Sequence, residues 1–251
     1  IMKIEKIKKD DKKYIIILDN GLEIKTFDDV IINNGLLYNK IIDDDLLDKI
    51  NKENDYYNIY YKVVNYISKK LRSEKEIIDF LDKNNILDKN KIINKLKSIN
   101  LINDLNFAKA YISDRINLSN DGIYKIKNDL LKHNIDLGII DNELSKIDDE
   151  IINKKIEKLI NKKIKNSKYT GFKLKYKVVN ELINLGYDKS KISEIYDNLD
   201  IKNDDLIIKE YNKLYNQLSK KYQGKELEYK INVKLYNKGF TKEEIDCIQK
   251  N

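Results

Sequence analysis

The chain has 251 residues, 36% of them charged and 41% apolar, with no proline and a net charge of +7; it can bury one large core or several small ones. The longest apolar stretch near its start, residues 14–18, is far short of the roughly 20 residues that cross a bilayer, and no leader pattern opens the chain, so a cytoplasmic, membrane-free protein is expected. A single cysteine, Cys247, and a single histidine, His133, exclude an internal disulfide and the common zinc sets.

Residues 1–50 stand apart from the rest of the chain. Ile4 and Ile7 lie in a short basic strand, and residues 14–18 are β-branched. Asp19-Asn20-Gly21 reads as a hairpin turn into residues 22–27, because Asn-Gly tolerates positive φ at its tip. Residues 28–33 and 44–50 read as short helices. The expectation is a small three-stranded, β-rich subdomain that leans on the helices after it.

From residue 55 onward the apolar period is helical, and one phrase returns four times. It reads Ile77, Leu81, Asn85, Ile86; then Ile126, Leu130, Asn134, Ile135; then Val178, Leu182, Gly186, Tyr187; and finally Ile231, Leu235, Gly239, Phe240. The last residues of the copies are 49, 52 and 53 apart. Apolar residues four apart share a helix face, and Asn or Gly is the residue that leaves a helix in the left-handed conformation. Caps open the neighbouring helices, as at Asp188 and in the boxes Ser73-Glu74-Lys75-Glu76 and Thr241-Lys242-Glu243-Glu244. The fold expected is mainly α: an elongated, curved array of four three-helix repeats after a small β-rich N-terminal subdomain. Boundaries fall at 1–50, 51–102, 103–148, 149–200 and 201–251. Tyrosines at helical spacing are assigned mostly to core and inter-repeat packing, since a base-stacking platform needs them exposed. Cys247 is placed on the apolar side of the last helix.

No enzyme site assembles from these residues. His133 falls at a helix end, where it suits the terminal carbonyls better than base catalysis. Gly224-Lys225-Glu226 lacks the other parts of a phosphate loop. No cofactor or metal is expected.

Charge is distributed unevenly. Residues 151–177 hold ten lysines and one glutamate, a basic segment suited to polyanions through counterion release. The alternative is a solvated face. Only two of the 49 basic residues are arginines, Arg72 and Arg115; each is either selected for its planar fork or an ordinary surface pair.

The run from Tyr66 to Glu76 resembles a signature of the RecX family, regulators of the RecA recombinase, with Arg72, Ser73 and Glu76 on matching positions. Leu101-Ile102-Asn103-Asp104, Phe107-Ala108, Tyr111 and Arg115 are similar to that family's second signature. Gly122, Ile126, Leu130 and Ile135 match its next segment, with Asp121 where the family has lysine and Asn134 where it has glycine. The resemblance implies a non-enzymatic, monomeric regulator that binds RecA and the RecA–single-stranded DNA filament, directly or through the bound strand. It would inhibit recombinase, ATPase and co-protease activities in DNA repair and the SOS response. Candidate partner or DNA contacts are Arg72, Arg115, Lys125, Lys127, Lys162, Lys163, Lys168, Lys173, Lys175 and Lys177. A stand-alone DNA-binding protein or a scaffold without a RecA partner remains the alternative.

Overall fold

The structure, a computed structural model, describes residues 1–199, 201 and 204–249. Among the described residues it is mainly α-helical, with four strands and thirteen helices. Two compact units divide it, Ile1–Asn103 and Asp104–Asn251.

The first unit begins with β1 (Met2–Asp10), β2 (Lys13–Leu18), β3 (Glu23–Thr26), α1 (Asp28–Asn33) and β4 (Ile41–Ile42). The strands form an antiparallel sheet in the order β3-β2-β1-β4. Ile16 and Leu18 point into the core with Ile24, Val30 and Leu36, as the two-residue period of a half-buried strand requires. The sheet therefore has four strands, not three. β4 pairs through only Met2–Ile42 and Lys3–Ile41, too short a run to leave a periodic trace.

α2 (Asp44–Ile67) starts behind Asp43, whose carboxylate accepts the Leu46 N–H at 2.8 Å. It joins what read as a short helix over 44–50 to the first helix of the repeat region, so the expected boundary at residue 50 lies inside a helix. The reason is that α2 serves two cores. Ile50 packs with the sheet, and Val63 packs with Ile77, Leu81, Ile92 and Leu96 on α3 (Glu74–Lys83) and α4 (Lys89–Ser98). Between these ends Asn54 is buried and accepts the Thr26 hydroxyl at 2.8 Å. Phe27 stacks on Tyr61 at 5.0 Å, which pins the sheet to the middle of α2.

The second unit holds α5 (Asp104–Leu118), α6 (Ile123–Lys132), α7 (Leu137–Leu144), α8 (Asp149–Lys165), α9 (Gly171–Asn184), α10 (Lys189–Asp197), α11 (Asp204–Leu218), α12 (Gly224–Tyr236) and α13 (Lys242–Gln249). Its three cores draw on α5–α7, α8–α10 and α11–α13 in turn. The expected boundary at residue 200 falls outside the described residues. Every apolar residue at the first two positions of the fourfold phrase is buried.

The third position of the phrase shows why two copies carry Asn and two carry Gly. Asn85 and Asn134 adopt φ of 57° and 58°, whereas Gly186 and Gly239 adopt 89° and 101°. Asn reaches the former region at modest cost, and the latter belongs to glycine. Crowding adds to this. A Cβ on Gly186 would lie 2.6 Å from the Lys125 Cβ, and one on Gly239 would meet the Thr170 carbonyl and the Lys173 Cβ. These glycines sit where the end of one middle helix meets the start of the previous one. The Gly122 N–H donates to the Leu185 carbonyl at 2.7 Å and the Tyr124 N–H to the Gly186 carbonyl at 2.9 Å. One layer on, the Thr170 N–H donates to the Lys238 carbonyl at 2.9 Å. Each junction satisfies amides that a helix N-terminus leaves without an intrahelical partner, using carbonyls that a C-terminus leaves over.

Two side-chain placements differ from the sequence reading. Cys247 is exposed. Most tyrosines pack against the cores, Tyr187 and Tyr196 buried and others such as Tyr60, Tyr66, Tyr111 and Tyr211 partly so, but Tyr38, Tyr61, Tyr124, Tyr176, Tyr215, Tyr229 and Tyr236 are exposed. Helical spacing alone does not fix which face a residue occupies. Tyr124, Tyr176 and Tyr229 each stand two residues before a core position, about 200° round the helix.

Candidate functional site

The two arginines occupy equivalent brackets at the foot of a middle helix. Arg72, in the linker from α2 to α3, lies 3.9 Å over the Tyr66 ring and donates to Glu76 Oε1 at 3.1 Å. Glu76 also accepts the Ser73 N–H, while the Ser73 hydroxyl accepts the Glu76 N–H, which closes the capping box. Burial works against the Glu76 carboxylate, but the Ser73 N–H, Arg72 and Lys70 outweigh it and hold its pKa below the usual value. Arg72, Ser73 and Glu76 thus form one unit that fixes the turn between α2 and α3.

Arg115 repeats the arrangement near the end of α5. Its guanidinium lies 4.9 Å over Tyr111 and reaches Asp121 Oδ2 at 3.3 Å, just before α6. Lys125 meets the other Asp121 oxygen at 2.6 Å. Asp121 is buried, and that burial is outweighed by Lys125, Ser119 and Arg115, so its pKa is lowered. Behind it, Lys155 of α8 donates to the Ile116 and Ser119 carbonyls at 2.6 and 3.0 Å and closes the end of α5. Burial pushes the Lys155 pKa down. The aspartate at position 121 is the hub of an ion cluster that joins α5 to α6. Asp121→Asn should cost about 1–2 kcal/mol at neutral pH, because its two cations lose their partner. A carboxylate with a lowered folded pKa contributes stability above its unfolded value, near 4, and loses it as pH falls through the folded value. The gap between wild type and variant in urea denaturation should therefore shrink markedly from pH 7 to pH 3.

Several candidate lysines are engaged within the fold. Lys127 pairs with Asp141 at 2.6 Å, Lys163 pairs with Glu181, and Lys173 donates to the Asn237 carbonyl. Lys175 bonds both Asp197 oxygens at 2.6 and 2.7 Å. Lys177 stands 3.8 Å over the Tyr169 ring, and Lys168 lies 5.6 Å from it. Lys162 is exposed on α8. The basic segment thus divides into lysines that tie helices together and lysines that face solvent, of which Lys162 and Lys168 are the exposed candidates near the end of α8. The structure brings Arg115 and Lys125 to one carboxylate and leaves Lys127 and Lys175 on other acids.

Sequence reading missed the partners of these groups. Tyr66 and Tyr111 are legible, since each precedes its arginine by six or four residues. Asp141, Glu181, Asp197 and Asn237 lie on other elements, and spacing gives no sign of them. His133, at the end of α6, packs 5.0 Å from Phe107 and 5.8 Å from Tyr111. Among the described residues no group of three or more His, Cys, Asp or Glu could hold a metal ion, and no helix is long and apolar enough to cross a membrane.

These features define a mainly α-helical protein with a small antiparallel sheet, two of its helix turns braced by arginines and the helix layers of its second unit joined end to start. No family model matches the chain. It is 36% identical over 254 residues to Regulatory protein RecX of Streptococcus agalactiae serotype III (strain NEM316), covering 97% of each protein. It is 31% identical to Regulatory protein RecX of Streptococcus pyogenes serotype M1 over 258 residues, covering 100% of the chain and 99% of the relative. A crystal structure of regulatory protein RecX has the same fold, with a TM-score of 0.69 and 24% identity over 78% of this chain and 100% of that one. RecX from Lactobacillus salivarius superposes with a TM-score of 0.55 and 30% identity, over 59% of this chain and 98% of that one. The chain belongs to the RecX family of regulatory proteins.

Proposed function

We propose that this protein regulates a RecA recombinase by binding RecA and the RecA–single-stranded DNA filament, limiting strand exchange, ATP hydrolysis and co-protease action in DNA repair and the SOS response. The observation that carries this reading is the near full-length similarity to regulatory RecX proteins. The basic surface supports it, since lysines at the end of α8 that face solvent suit an acidic surface or phosphates. The protein acts in the cytoplasm, as a monomer, and without a cofactor.

The arrangement offers binding rather than bond-making chemistry. The perturbed carboxylates, Glu76 and Asp121, are lowered and ion-paired, the state of structural anions rather than of general acids or bases poised near neutrality. At saturating concentration the purified protein should suppress DNA-dependent ATP hydrolysis and strand exchange by RecA. Both activities persisting at their full rates would overturn the reading.

A further inference from the structure

In the first unit the β1–β2 hairpin and the helix beside it border an open groove. Residues 11–12 turn β1 into β2, with Asp11 at a φ of 54°, and the tip of the hairpin stands against the second half of α2. There Asn58, Tyr61, Lys62 and Asn65 follow one another at the spacing of a single helix face. Lys13 Nζ donates to Asn58 Oδ1 at 2.7 Å and clasps the hairpin to that face. The groove around this clasp measures about 780 Å³, in the size range of binding sites.

Its lining joins apolar surface to an excess of positive charge. Tyr14, Tyr61 and Val64 supply the apolar part, and Lys9, Lys12, Lys13 and Lys62 the charge. Lys9 lies opposite Tyr14 in the β1–β2 ladder, so the two share one face of the sheet. Asp11 and Asp28 are the carboxylates of the lining, yet among the described residues Lys9, Lys12 and Lys62 form no ion pair. Lys127, Lys163 and Lys175 of the second unit, by contrast, are each matched by an acid. Three ammonium groups thus border one groove without a counter-ion from the chain.

We propose that this groove docks an acidic peptide segment of a partner protein, with carboxylates on Lys9, Lys12 and Lys62 and an apolar side chain against Tyr61 and Val64. Charge complementarity carries the choice of occupant, since unpaired lysines around an apolar patch select an anionic partner with an apolar anchor. The rings favour a peptide over a nucleic acid. A base needs an open ring face on which to stack. Tyr61 instead lies on Phe27 at 5.0 Å with its hydroxyl on Asp29 at 2.5 Å, and Tyr14 packs against the sheet core. The contact is independent of the RecA reading and gives the β-rich start of the chain a role of its own.

Fluorescence polarisation tests it, with the full-length protein and a fluorescein-labelled peptide that alternates glutamate with leucine. The wild type should bind this peptide and not its glutamine counterpart, and added salt should weaken the binding. Lys12→Glu and Lys62→Glu should each weaken it about fivefold, and the double variant about 25-fold. Lys8→Glu should bind within about twofold of wild type, because successive side chains of β1 leave opposite faces and Lys8 points away from the groove. Lys8, Lys12 and Lys62 are exposed, so melting temperatures should stay close to wild type. No binding by the wild type, equal binding of the glutamine peptide, or an equal loss with Lys8→Glu overturns the proposal. So does a double variant that keeps the peptide yet loses a labelled thymidine oligonucleotide, which would make the groove a nucleic-acid site.

Discussion

Replacing Gly186 by alanine should destabilise the protein by at least about 3 kcal/mol, as should the same change at Gly239, the other junction glycine. Two costs combine. Gly186 holds φ at 89°, where a side chain is strained whatever its surroundings. Its Cβ would also come within 2.6 Å of the Lys125 Cβ and closer still to the Lys125 amide, so α6 would have to retreat and lose the Tyr124 bond to the Gly186 carbonyl. Gly224 is the control. It too has positive φ, at 54°, but an added Cβ there meets nothing within 4 Å, so Gly224→Ala should cost only about 1–2 kcal/mol. In a chain of this length each kcal/mol moves the midpoint by roughly 2–4 °C. Thermal melts followed by circular dichroism should separate the two variants by several degrees. Equal melting temperatures would mean that the junction is not a tight contact.

Arg72→Ala should be the most damaging change at a charged position, at about 3 kcal/mol. The side chain is only 14% exposed, lies on Tyr66, and holds a carboxylate that is itself 17% exposed. Lysine keeps the charge but loses the flat stacking surface, so Arg72→Lys should recover less than half of the stability. Arg115, 41% exposed over a wider 4.9 Å ring contact, should cost about 1 kcal/mol on truncation. Chemical denaturation of the three variants checks the order, and an Arg72→Lys variant as stable as wild type would overturn it. A loss of RecA inhibition by Arg72→Ala is informative only beside that measurement, because the residue that resembles a family contact also closes the turn from α2 to α3.

Local chemistry was what the sequence disclosed. The boxes at Ser73 and Thr241 and the cap at Asp188 all form, because caps depend on residues three or four apart. The core positions of the fourfold phrase were legible for the same reason. β4 was not, since two residues have no period, and α2 was cut at residue 50 because residues 51–55 are all polar and carry no apolar face. Asn54 is polar for a tertiary reason, its bond to Thr26. At the candidate site the arginines were visible and their carboxylates only partly. Asp121 looked like a lost lysine, and only the fold shows it collecting Arg115 and Lys125. Most tyrosines pack against the cores as the sequence suggested; Tyr124, Tyr176 and Tyr229 do not, and their register held the answer, since a residue two places from a core position cannot share its face.

The amides of Gly122, Tyr124 and Thr170 are set apart from ordinary first-turn amides, which exchange with solvent quickly because nothing within their own helix holds them. Here each is held by a carbonyl of the following layer, so its deuterium uptake reports on layer-to-layer docking rather than on helix stability. Three residues thus serve as built-in gauges. Should a partner bend or splay the layers of the second unit, uptake at these positions would rise while the helix interiors stayed protected.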